Sequence, residues 1–222
     1  MPKDTFFNLP EDKRALICKV AVAEFAKHRF DKASINRIVA QSGIAKGSFY
    51  QYFEDKKDLF LYIVQLVGEE KLNYMSPLLQ NPDNHDIFIL IREMYISGIQ
   101  FVVAHPEYAE ISKRILENKN SPIYQEMMDQ NLPTVYDFFE ALLGKAIENG
   151  SLRPEINVKL LAYIIASLNT LVIEYYIDQI DQTYDEKMMV TVDQFIDFLK
   201  NSIGRQKSTE PTSTESPANI IG

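Results

Sequence analysis

The chain has one cysteine, Cys18, so no intramolecular disulfide can form; its apolar helical surroundings predict a buried, inert thiol, and a reducing cytoplasm suits it. It has three histidines, His28, His85 and His105, scattered with no i, i+4 partner and no cysteine beside them, so no metal site suggests itself. G-x-S-x-G, P-loop and dinucleotide fingerprints are all missing, and the paired Glu69-Glu70 reads as solvated surface; an enzyme is not expected. The N-terminal MPKDTFFNLPEDKR lacks the apolar core and cleavage site of a leader peptide. No internal repeat and no convincing strand is visible.

What is present is helix. The 222 residues are 46% hydrophobic and 24% charged, ordinary for a globular protein. The net charge of −8 is unevenly spread: residues 1–66 carry 11 Lys+Arg against 8 Asp+Glu, whereas the remainder carries 12 against 23. The basic share lies in the N-terminal third, and an acidic body discourages indiscriminate attachment to phosphate.

Helical periodicity predicts a first helix over 11–29, opened by Pro10, Glu11 and Asp12. Ser34 can cap a second, 35–42, which ends at Gly43, where a sharp turn needs a left-handed residue. A third runs over 45–52 with Phe49 and Phe53 on one inward face. Asp55 caps a long fourth, 56–79. Further helices are expected at 87–104, then after the His105-Pro106 break to 117, over 121–148 with Pro133 a candidate kink, at 157–181 and at 185–203. The Ser/Thr/Pro-rich tail, 206–222, should be disordered. Leu160–Ile173 is almost wholly apolar but too short to cross a membrane, and Ser167, Asn169 and Thr170 interrupt it; with the apolar stripe of 188–199 it predicts a homodimer interface.

The stretch 34–53 has the outline of a DNA reader. A short projecting helix with polar residues on its outer face fits the major groove. Lys46 can donate to guanine or to a phosphate, Gly47 lets the backbone approach a base edge, and Gln51 can pair with adenine or bond a phosphate. Ser48, Tyr50 and Tyr52 can give hydroxyls to phosphate, with Tyr52 equally suited to the core. Ser34, Arg37 and Lys56 lie where they can hold the flanking backbone.

This pattern resembles the tetracycline-repressor (TetR) family of bacterial regulators. The residues that carry the likeness run from Ala15 to Leu66: Ala21–Ala26, Phe30, Ser34, Ile38-Val39, Gly43-Ile44, Lys46-Gly47-Ser48, Tyr50, Tyr52-Phe53 and Lys57-Asp58-Leu59-Phe60. The resemblance implies an all-α homodimer. Its DNA-binding domain would span 1–55, and a ligand-binding and dimerisation domain 56–205. The last two long helices would form the dimer interface, and an unknown small-molecule effector would release a palindromic operator. It places base readers at Lys46, Gly47 and Gln51, and phosphate contacts at Ser34, Ser48, Tyr50, Tyr52 and Lys56. Repression is the family's majority habit; no cofactor and no membrane are implied. The acidic Glu54-Asp55 departs from the family's basic or neutral pair and leaves one rival, a helical protein-interaction module without DNA binding. Polar residues on apolar helices are the candidate effector contacts: Arg92, Tyr95, Gln100, Asn169, Tyr175 and Tyr176. Each has a structural alternative, Asn169 in a dimer interface and the tyrosines in the core.

Overall fold

The computed structural model describes residues 1–74, 77, 85–181 and 185–204. Within them the chain is all-α: α1 Asp4–Phe7, α2 Glu11–Lys27, α3 Ile35–Ser42, α4 Lys46–Tyr52, α5 Lys56–Asn73, α6 Ile87–Ala104, α7 Pro106–Leu116, α8 Pro122–Glu148, α9 Val158–Gln179 and α10 Met188–Ile203. The only pairing of extended backbone among these residues is an isolated bridge between Leu152 and Gly204. The far end of the expected fourth helix, to Leu79, and the tail 206–222 lie outside the described residues.

Local chemistry sets the helix ends. The Ser34 hydroxyl accepts from the Arg37 amide, the Asp55 carboxylate accepts from the Asp58 amide at 2.8 Å, and Ser121 and Asn157 cap α8 and α9 in the same way. Gly43 is left-handed at φ 63° and Gly150 at φ 80°, so each reverses the chain without the strain a Cβ would bring. Pro106 starts α7 at the first-turn position that needs no N–H. Pro133 lies inside α8 without ending it.

Two apolar clusters hold the fold together. The first joins Ile17, Ala21 and Phe25 of α2, Ile38 and Val39 of α3, Phe49 and Phe53 around α4, and Leu59, Phe60 and Ile63 of α5. It continues through Ile111 of α7 to Ile123 of α8, so the start of the C-terminal helices shares the core of the N-terminal ones. Lys57 on α5 pairs with Glu126 on α8 at 3.1 Å across the same seam. The second cluster is built from α6, α8, α9 and α10, around Ile91, Phe139, Leu143, Ile165 and Val192.

The fold also corrects the expectation for the apolar stretch at 160–173. It lies within a 22-residue helix, and both α9 and α6 are long and apolar enough to cross a membrane by composition alone. Length is therefore no argument against a membrane span. One side of the helix packs into the second cluster through Leu161, Ala162, Ile165, Ala166 and Tyr176, and Lys119 pairs with Glu174 on the same helix at 2.7 Å.

Candidate nucleic-acid interface

The outer surface of α4 is assembled from the turn outward. Val39 and Ile44 bracket Gly43, and the Ile44 amide donates to the Val39 carbonyl at 3.1 Å, closing the turn. Lys13 of α2 reaches across to donate to the Ser42 carbonyl at 3.0 Å. Phe49 and Phe53, both fully buried, anchor the inner face of α4 with ring centroids 5.5 Å apart. This fixes which side faces out. Lys46, Gly47, Tyr50 and Gln51 are exposed; Ser48 and Tyr52 are half-buried. Among the described residues, the side chains of Lys46, Ser48, Tyr50 and Gln51 have no hydrogen-bond partner, so their polar ends are available to an outside ligand. A Cβ added at Gly47 would meet nothing within 4 Å, so packing within the chain does not require the glycine.

Two expected phosphate ligands are otherwise engaged. The Arg37 guanidinium grips Glu24, with Nε at 3.0 and 3.1 Å from the two carboxylate oxygens, and its Nη2 donates to the Lys32 carbonyl at 2.9 Å. It braces α3 on α2 where an open cation was expected. Lys56 donates to the Ala33 carbonyl at 2.9 Å and lies 4.7 Å over the Phe30 ring; burial lowers its pKa. It ties α5 to the 31–33 connection. Ser34 is half-buried, with its amide on Glu24 at 2.8 Å.

Glu24 is the residue that sequence reasoning missed. It is only 6% exposed and sits on the apolar face of α2. Burial raises its pKa, but the Arg37 hydrogen bond, the Ser34 amide and the nearby Arg37 charge outweigh that and hold it below the usual carboxylate range. A group whose folded pKa is depressed stabilises above its unfolded value and loses that contribution as pH falls through the folded one. Denaturant unfolding of Glu24→Gln should therefore give a deficit against wild type that is full at pH 7. The deficit should shrink as the pH falls through the carboxylate range; one that is constant with pH would contradict the assignment.

The expected effector contacts scatter. Arg92 is partly exposed and pairs with Asp193 of α10 at 2.7 Å, pinning α6 to α10. Gln100 and Tyr175 face outward. Tyr176 is buried, but its hydroxyl is engaged by Asp185 at 2.9 Å. Adjacent Tyr175 and Tyr176 fall on opposite sides of α9: Tyr175 is exposed, whereas Tyr176 takes the core place that was its structural alternative. Asn169 is half-buried. Tyr95 is buried, and among the described residues its hydroxyl has no hydrogen-bond partner.

The sequence profile of bacterial regulatory proteins of the tetR family matches residues 17–63, which run from α2 into α5. The crystal structure of a TetR family transcriptional regulator from Chloroflexus aurantiacus J-10-FL is 34% identical, with a TM-score of 0.65; the match covers 93% of this chain and 100% of that one. The chain belongs to the TetR family. It is a DNA-binding transcriptional regulator. An uncharacterised HTH-type regulator of Bacillus subtilis, YvdT, is 27% identical over 206 residues, 92% of this chain and 99% of its own. SmeT in its triclosan complex, 18% identical with a TM-score of 0.67 over 95% of this chain and 100% of its own, shares the fold.

Proposed function

We propose that the chain is a cytoplasmic repressor, without catalytic activity, that binds a palindromic operator as a homodimer and leaves it when a small apolar or amphipathic effector binds. Residues 1–55 act as the reader, 56–205 carry the effector and dimer contacts, and the tail 206–222 is dispensable for binding. The observation that carries the reading is the outer face of α4, where Lys46, Gly47, Tyr50 and Gln51 stand exposed on a rigid aromatic base. In a two-fold dimer the half-site centres would lie one turn of DNA apart or somewhat more, on the order of 35 Å. An effector that favours another spacing weakens DNA binding, and DNA weakens effector binding by the same factor, about 5- to 150-fold for a typical coupling.

Asp55 bears on the rival reading. Its carboxylate caps α5, so one of the two acidic residues after Phe53 has a structural use, which weakens the argument for loss of DNA binding. For the effector, Tyr95 is the strongest anchor. A buried hydroxyl without a partner costs on the order of 1–3 kcal/mol, which a ligand accepting a hydrogen bond from it would offset. SmeT has been solved with triclosan, a compound of the apolar-with-hydroxyl kind that such a site would suit. Asn169, half-buried on α9, is the second candidate.

The test is Lys46→Ala, assayed by fluorescence anisotropy against a duplex selected from a random pool by the wild type. The selected duplex should bind at least about fivefold more weakly, the lower end of what a base contact is worth. Circular dichroism should be unchanged, because Lys46 is exposed. Unaltered binding would remove Lys46 from the reader.

A further inference from the structure

The last turn of α4 is held by a segment that precedes the family match. A helix leaves its final carbonyls without intrahelical partners. In α4 the Phe49 carbonyl is satisfied by the Phe53 amide at 2.8 Å, leaving those of Tyr50, Gln51 and Tyr52. All three are taken by residues 3–5. Lys3 donates through its ammonium to the Tyr50 carbonyl at 2.9 Å and through its amide to the Tyr52 carbonyl at 2.8 Å. The Thr5 hydroxyl donates to the Gln51 carbonyl. Phe6 locks this arrangement in place. It is fully buried in the first cluster, 4.9 Å from the Phe53 ring and 5.5 Å edge-on to Tyr62. α1 and residues 3–6 lie outside residues 17–63, where the family profile matches, although their partners on α4 and α5 lie within it.

We propose that Lys3 and Thr5 are positioning residues for DNA reading. By saturating the C-terminal carbonyls of α4 they fix the turn that carries Tyr50 and Gln51, and so set the aim of both side chains into the groove. The segment acts as a strap, with Phe6 as its pin and the polar atoms of residues 3 and 5 as its clasp. A seven-residue helix has too few internal hydrogen bonds to hold its own end, since a short helix depends on outside contacts for its stability. This rests on α4 being the reading helix.

The test uses the full chain with Lys3→Met and Thr5→Val combined, which keep bulk and leave Phe6 in place, and Thr5→Ser as the conservative control. One arm is hydrogen exchange on DNA-free protein. The amides of residues 50–53 should exchange about tenfold faster in the double variant, as a frayed terminus does relative to a held one. The other arm compares the duplex selected by wild type with a scrambled duplex of equal length across salt concentrations. The ratio of the two affinities should fall at least about fivefold, and Thr5→Ser should retain wild-type behaviour in both arms. Faster exchange with an unchanged ratio would reduce the strap to a structural role and overturn the proposal. Unchanged exchange would overturn it as well. Equal loss on both duplexes, with a salt slope smaller by about one, would make Lys3 a phosphate ligand instead. A wild type that selects no duplex would overturn the DNA reading itself, while the exchange arm would still decide whether the strap holds the helix end.

Discussion

Replacing Leu171 and Phe198 together by aspartate should give a folded monomer that binds the operator about 10²- to 10⁴-fold more weakly than wild type, the range lost when two linked sites become independent. The surface concerned is the outward face of α9 and α10. Leu160, Ile164, Leu171 and Tyr175 recur at helical spacing along α9, and Leu171 and Tyr175 are each 55% exposed. On α10, Val190 is 65% and Phe198 62% exposed. Exposed apolar faces of this kind mark an interaction site. Only the opposite side of α9 is buried by the chain's own core, through Leu161, Ile165 and Ala166. A second copy laid against the exposed stripe would produce a four-helix interface and bury the apolar surface of both chains. Two carboxylates placed there would each have to be desolvated without a partner, whereas in the monomer they stay in water at no cost to the core. Light scattering reads the mass and anisotropy the affinity. A variant that stays dimeric would move the interface elsewhere, and a monomer with full operator affinity would show that one reading head suffices.

The features legible in the sequence were those fixed by local chemistry. Gly43, Ser34, Asp55 and Pro106 each act within four residues of themselves, and each ends or starts a helix where its chemistry requires. Phe49 and Phe53 declared the inner face of α4 by their spacing, and the outer face followed. Pairings across the fold were not legible. Arg37 and Lys56 carry visible charge, but their acceptors, Glu24 and the Ala33 carbonyl, lie 13 and 23 residues away. A sequence shows a cation without showing what it is bonded to, so both read as open. Glu24 interrupts an apolar face and is explicable only once Arg37 and the Ser34 amide are placed beside it. Helix α1 has four residues, too few to show a period, and its burial depends on partners nearly 50 residues on. The sharing of the first cluster with Ile111 and Ile123 likewise comes from tertiary docking of α7 and α8.

Phe53→Ala should be the most damaging single change in the reading head. The ring is fully buried at the junction of three elements, 4.9 Å from Phe6 of α1, 5.5 Å from Phe49 of α4 and 6.4 Å from Tyr62 of α5. Truncating a buried phenylalanine costs about 3–5 kcal/mol, the lost transfer energy plus the cavity left behind. Neighbouring rings cannot collapse into the space without leaving their own contacts, which favours the upper part of that range. For a chain of this size each kcal/mol lowers the melting temperature by roughly 2–4 °C, so calorimetry should register a fall of about 6–20 °C. The loss should spread beyond α4. The same cluster runs through Ile63 of α5 to Ile111 of α7, so the contact that couples the head to the C-terminal helices loosens with it. Operator binding measured well below the melting temperature should therefore fall, and its response to effector should weaken in parallel. A melting temperature within about 2 °C of wild type would mean that the three rings around Phe53 repack, and that the head is less rigidly built than its packing implies.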